Sequence, residues 1–206
     1  MNDSKKIYFY ITAILALFIP LPGRFVFAFY ILLLFDLQIF LLTLVFHGAN
    51  KLKIGGLKEP VLIFSIIFLT ILYKQFLYIV CPVVAITLGF CIYLPSISTY
   101  TITFFFGKKV NSLSKHLFNN MRACGYNTLI CLVLFMMRDL IGYGTLTLPG
   151  WKRIIYLKFP FSLENTHAGA FFSTIPGALL FLSVCLAIYI FFKKKIHIIA
   201  QKGAEK

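Results

Sequence analysis

The sequence predicts an all-α polytopic membrane protein: six transmembrane helices forming an inverted 3+3 repeat, with helices 1 and 4 broken. Three observations lead there. Apolar residues make up 60% of the 206 residues and only 13% are charged, whereas a soluble domain is nearer half apolar and about a quarter charged. A chain this long has no core that absorbs such an excess, so the excess must face lipid. Apolar runs of near-spanning length recur along the chain, separated by short basic or turn-forming loops. Finally, prolines interrupt two of these runs at corresponding places.

A spanning helix needs about 20 apolar residues. The first run, Ile7 to Phe18, is short. It leads into Ile19-Pro20-Leu21-Pro22-Gly23-Arg24, which has no small-residue cleavage site, so no cleavable signal peptide is expected. The second run is Phe25 to Phe46 and the third Pro60 to Val80, preceded by the turn formers Gly55-Gly56. The fourth is Val83 to Phe106, interrupted by Pro95; the fifth is Arg122 to Ile141 and the sixth Gly169 to Phe192. No stretch is left for a soluble domain, so residues 1–206 read as a single integral membrane domain with repeat halves of about 1–80 and 81–206.

The net charge of +14 raises a nucleic-acid reading, but the cations sit in short loops between apolar runs and form no basic domain. The positive-inside rule accounts for them instead. Six spans put both termini on one side, with fourteen Lys and Arg residues there against four (Arg24, Lys152, Arg153 and Lys158) on the other. Both termini are therefore expected in the cytoplasm. The longest outer loop, about Gly142 to Ala168, holds the lone tryptophan, Trp151, which reads as an interfacial anchor.

Two threes of helices have opposite orientation, so the first and fourth segments should correspond. Both carry proline breaks, at Pro20 and Pro22 and at Pro95. Broken segments at matching positions of two halves point to a midplane site, although ordinary proline kinks give the same pattern. Ser96, Ser98 and Thr99, with Tyr100, Thr101 and Thr103, add a polar stripe beyond Pro95. Those side chains serve equally well as a lining for an ion and as glue between helices.

The remaining two cations, Lys74 and Arg138, lie inside segments, as do Asp36 and Asp139. An unpaired charge at the bilayer centre costs about 2.5–3.5 kcal/mol even on insertion scales. Asp36 and Lys74 lie on adjacent antiparallel segments with an offset of roughly 7 Å at 1.5 Å per residue, so they are expected to approach each other. The pair would be an ion relay or a structural tie. Arg138 and Asp139, about 100° apart on a helix, cannot neutralise each other simply; Arg138 is expected to snorkel to the outer interface. The cysteines are scattered without a CxxC, and the four histidines are apart and mostly in loops, so they read as solvated and no metal site is expected.

The stretch Arg138-Asp139-Leu140-Ile141-Gly142-Tyr143-Gly144-Thr145-Leu146 resembles the Arg-Glu-x-x-Gly-x-Gly-Thr-Leu signature of the Rnf/Nqr integral membrane subunits, nearest the RnfE/NqrD type. Leu88-Gly89 through Leu94-Pro95-Ser96-Ile97-Ser98-Thr99, Glu59-Pro60-Val61, and Ile175-Pro176-Gly177-Ala178 with Lys193-Lys194-Lys195 are also similar to that family. The resemblance covers segments 3 to 6 well and the first two loosely. It implies six spans as an inverted repeat in a bacterial inner membrane. It also implies an ion-translocating electron-transport complex, moving Na+ or H+, with a homologous partner subunit of opposite topology and flavin-carrying subunits.

Family members share an intramembrane [2Fe-2S] cluster with that partner, each giving one cysteine from each broken helix. The matching positions here are Ile19 and Thr101. Iron–sulfur clusters are held by thiolates, so the resemblance implies the fold but no cofactor bound by this chain, with flavin on the partners. The readings that follow are a membrane subunit of such a complex with at most a non-catalytic part in the redox reaction, a stand-alone ion or small-molecule transporter, or a scaffold subunit.

Overall fold

The computed structural model describes residues 19–52, 57–99, 113–158 and 167–204. The first apolar run, residues 100–106 of the fourth, Gly55-Gly56 and Thr101 lie outside those residues. Among the described residues, four helices are long and apolar enough to cross a membrane. The architecture is that of a helical polytopic membrane protein.

Helix α1 (Phe25–Lys51) is central. Its buried residues include the consecutive Val26, Phe27 and Ala28 and the pair Ile31 and Leu32, so it is covered on more than one side. Helix α2 (Lys58–Val80) buries only Leu62, Ile66, Thr70, Tyr73 and Leu77. Those spacings of three and four form a single stripe. Most of the rest of α2 is bare: Phe64, Phe68, Phe76 and Ile79 are all exposed, as a lipid-facing surface requires. Helix α4 (Leu113–Tyr143) likewise buries one seam, running through Cys124, Asn127, Cys131, Phe135 and Arg138. It packs along α1.

Between them the chain makes a broken span, Pro82–Thr99. It starts with α3 (Pro82–Leu88), where Pro82 occupies the first turn, a place that needs no N–H. A 3-10 segment, Gly89–Tyr93, follows, and helix resumes over residues 94–99. The break was expected at Pro95 but occurs at Gly89, whose φ of 46° is open to glycine and strained for other residues. Pro95 sits instead in the first turn of the resumed helix, where proline is tolerated.

The expected outer loop contains a two-stranded antiparallel hairpin, β1 (Thr145–Pro149) and β2 (Ile154–Lys158). The expected sixth segment is itself broken into α5 (His167–Ser173) and α6 (Ile175–Ala204). The main apolar core joins Leu21, α1, Tyr73 and Leu77 of α2, α3, the seam of α4, and Ala178 and Leu182 of α6, while Leu42 of α1 and Leu62 and Ile66 of α2 form a second, smaller cluster.

Candidate functional site

Three groups of polar side chains inside the bundle bear on function among the described residues, and α1 carries two of them back to back. Asp36 and Gln38 are two residues apart, hence about 200° apart around the helix axis. Gln38 faces α2 and the broken span. Its Nε2 donates to Thr70 Oγ1 at 2.8 Å and to Ser96 Oγ at 3.1 Å. Its Oε1 accepts from the Thr99 hydroxyl at 2.9 Å, and the Ser96 and Thr70 hydroxyls are 2.9 Å apart. Thr70 also reaches its own Ile66 carbonyl, and Thr99 reaches that of Pro95. Gln38, Thr70 and Thr99 are at most 1% exposed. The Thr99 hydroxyl is shared between the Gln38 Oε1 and Pro95 carbonyl acceptors, and through Gln38 the network joins α1, α2 and the broken span. Ser98 is buried as well.

Asp36 faces the opposite way, toward α4. Its Oδ1 accepts the Cys124 thiol at 2.7 Å and the Thr128 hydroxyl at 2.8 Å, donors one turn apart on α4. Lys74 lies elsewhere, its Nζ 5.4 Å from the centre of the Tyr93 ring. The expected approach of Asp36 to Lys74 is therefore not made. Gln38 occupies the face of α1 that looks at α2, and helical geometry turns Asp36 away from it. Both donors to the carboxylate are neutral. Asn127, on the same buried seam of α4, has neither amide atom in a hydrogen bond to a described residue.

Arg138 and Asp139 form the third group and correct a second expectation. Arg138 does not snorkel; it is 1% exposed. Its guanidinium spans two breaks in the backbone. Nη1 donates to the Leu21 carbonyl at 3.0 Å. Nε donates to the Phe172 carbonyl at 3.4 Å, and Nη2 to those of Ser173 and Thr174 at 3.1 and 3.3 Å. These acceptors follow from the sequence. Pro176 has no N–H to give Phe172 four residues back, and the Gly177 N–H turns to the Thr174 hydroxyl, which frees the Ser173 carbonyl. The joint is tight: a Cβ on Gly177 would collide with the Phe171 carbonyl oxygen.

Asp139, 0% exposed, caps α1 from a distance. Its Oδ2 accepts the Phe25 N–H at 3.1 Å and the Thr147 N–H and hydroxyl at 2.8 and 2.7 Å. The Thr147 hydroxyl in turn accepts the Val26 N–H at 3.2 Å. A carboxylate is favourable at a helix N-terminus, where the backbone N–H groups have no partner within the helix. Leu21 and Phe25 would bond to each other had the helix continued through Pro22. Instead, Arg138 takes the carbonyl and Asp139 the amide. Asp139 Oδ1 is buried with no hydrogen bond to a described residue.

Pro20 and Pro22 therefore sit in the turn that Arg138 holds, and Ile19 is half-buried beside them in sequence. Thr101 lies outside the described residues. Cys81 and Pro82 form the join between α2 and α3, with Cys81 fully buried. His116 was expected in solvent but is 7% exposed, with its ring tilted against that of Phe46 at 6.0 Å and lying 3.4 Å from Asn120. It falls on the buried seam of α4, which begins earlier than the expected fifth segment. No group of three or more potential metal ligands occurs among the described residues. Sequence reasoning missed Gln38, Thr70, Cys124, Thr128 and Thr147. The first two were visible as polar residues inside apolar runs; the others needed the packing of α4 and the hairpin. No family model matches the chain, and neither does any curated protein.

Proposed function

We propose that the chain is an integral membrane subunit of a redox-driven, ion-translocating electron-transport complex of the Rnf/Nqr kind, with Asp36 on its ion path. The observation that carries this reading is a carboxylate inside a spanning helix, held by a thiol and a hydroxyl and by no fixed cation among the described residues. A structural ion pair would bring its own counter-charge. A carboxylate without one is matched to a mobile cation, Na+ or H+. The resemblance through Arg138 to Leu146 supplies the class of machine.

In this reading six spans form the inverted repeat, both termini face the cytoplasm of a bacterial cell, and electrons stay on partner subunits. Those partners are a homologous subunit of opposite topology and flavin-carrying subunits. The chain binds no [2Fe-2S] cluster of its own, since Ile19 and Thr101 stand at the ligand positions.

The test is purification of the tagged chain from its own membranes in mild detergent, followed by flavin and iron analysis and ion-uptake assays in vesicles. Co-purifying flavin subunits and donor-driven uptake lost in Asp36→Asn are expected. Ion flux by the isolated chain without a redox donor would favour the stand-alone transporter. A stoichiometric iron–sulfur signal that disappears in Thr101→Ala would overturn the absence of a cluster.

A further inference from the structure

We propose that the β1–β2 hairpin is a docking surface for the head groups of anionic phospholipids. The argument starts from alternation. Successive side chains of a strand point to opposite faces, and directly paired residues share a face. In β1, Thr145 and Thr147 are buried against the bundle, so Leu146 and Leu148 point away from it. Their partners in register are Leu157 and Ile155. The outward face of the ribbon is thus aliphatic throughout, and Ile155 and Leu157 are 45% and 44% exposed. Trp151 at the tip is 72% exposed. Water is a poor environment for such a face; the boundary between head groups and acyl chains suits it.

The height of the hairpin relative to the helices supports that location. The Lys152 N–H donates to the carbonyl of Val80, the last residue of α2, at 3.0 Å. This bond helps hold Lys152 at a φ of 61°, a region few non-glycine residues occupy. On the inward face, Arg24 lies 4.8 Å from the Tyr143 ring centre and 5.1 Å from that of Tyr156, tying β2 to the start of α1 and the end of α4. The ribbon is therefore fixed level with three helix ends and lies where lipid head groups begin.

Charge selects the occupant. Lys152 and Arg153 are exposed beside Trp151 at the tip, Lys158 is exposed at the far end of the ribbon on the face it shares with Thr145, and residues 145–158 contain no Asp or Glu. Cations beside an apolar, tryptophan-tipped face match a lipid phosphate that carries net negative charge. A zwitterionic head group offers the same phosphate already neutralised.

Trp151 is the only tryptophan in the chain and so reports on the hairpin directly. The full-length protein is placed in nanodiscs containing phosphatidylglycerol or phosphatidylcholine, brominated either near the carbonyl end of the acyl chain or near its terminus. Strong quenching by the shallow bromines, weak quenching by the deep ones, and preferential quenching by brominated phosphatidylglycerol in mixed discs are expected. Lys152→Gln, Arg153→Gln and Lys158→Gln should each reduce that preference, by up to about fivefold per charge, the lipid-surface value for one cation. Absence of quenching by shallow bromines would overturn the interfacial placement. Equal quenching by the two lipid classes, or a preference unchanged in the triple variant, would overturn the selectivity for anionic lipid.

Discussion

Arg138 shows how a costly residue becomes necessary in a membrane. Its guanidinium directs donors at the carbonyls of Leu21, Phe172 and Ser173, which the breaks near Pro22 and Pro176 leave without helical partners, and at that of Thr174, which also accepts the Ala178 N–H. Arg138→Met removes all of these at once. Each buried acceptor left unpaired costs about 1–3 kcal/mol, so a loss on the order of 3 kcal/mol or more is expected, read as a large fall in Tm in detergent. Arg138→Lys should recover little, because one ammonium cannot span both breaks. Asp36→Asn should behave differently. The amide oxygen still accepts from Thr128, so Tm should change little while ion uptake is lost. If Asp36→Asn instead lowers Tm as far as Arg138→Met does, Asp36 is a structural group and the ion-path reading fails.

At the scale of elements, Gln38 is the tie between α1, α2 and the broken span. Hydrogen bonds between helices in a membrane contribute about 0.6–2 kcal/mol, since the separated helices find other partners. Gln38→Leu should therefore destabilise modestly, and a double-mutant cycle with Ser96→Ala should give a coupling energy in that range. A coupling near zero would mean the network does not act as a unit. The joint between α5 and α6 tolerates far less. Gly177→Ala places a methyl group against the Phe171 backbone, and little folded protein should be recovered from membranes. The apolar runs announced α1, α2 and α4, because length and hydropathy alone decide a spanning helix. The breaks were harder to place. Pro95 marked the right span but the wrong turn, since proline is harmless in a first helical turn and Gly89 is the residue able to take positive φ. The pairing of Asp36 with Lys74 failed for a similar reason: segment order gave their depth, but only helix rotation, set by Gln38 against Thr70, gave their direction.

At the scale of the whole molecule, the helix ends fall on two sides. The N-terminal end of α1, the C-terminal ends of α2 and α4, and the hairpin share one side. The opposite ends carry Lys51 and Lys58, with the Lys58 ammonium against Asn50 and over the Phe46 ring. The orientation we propose, with both termini in the cytoplasm by the positive-inside rule, puts the Lys58 end inside and the hairpin outside. All five native cysteines are buried or half-buried, so a membrane-impermeant maleimide should scarcely react with the native chain. Single cysteines then report the topology. Lys152→Cys should label in intact cells, whereas Lys58→Cys should label only after the membrane is opened. The reverse pattern would invert the molecule. It would place the hairpin against the cytoplasmic leaflet and put the mouth of any ion path leading to Asp36 on the other side.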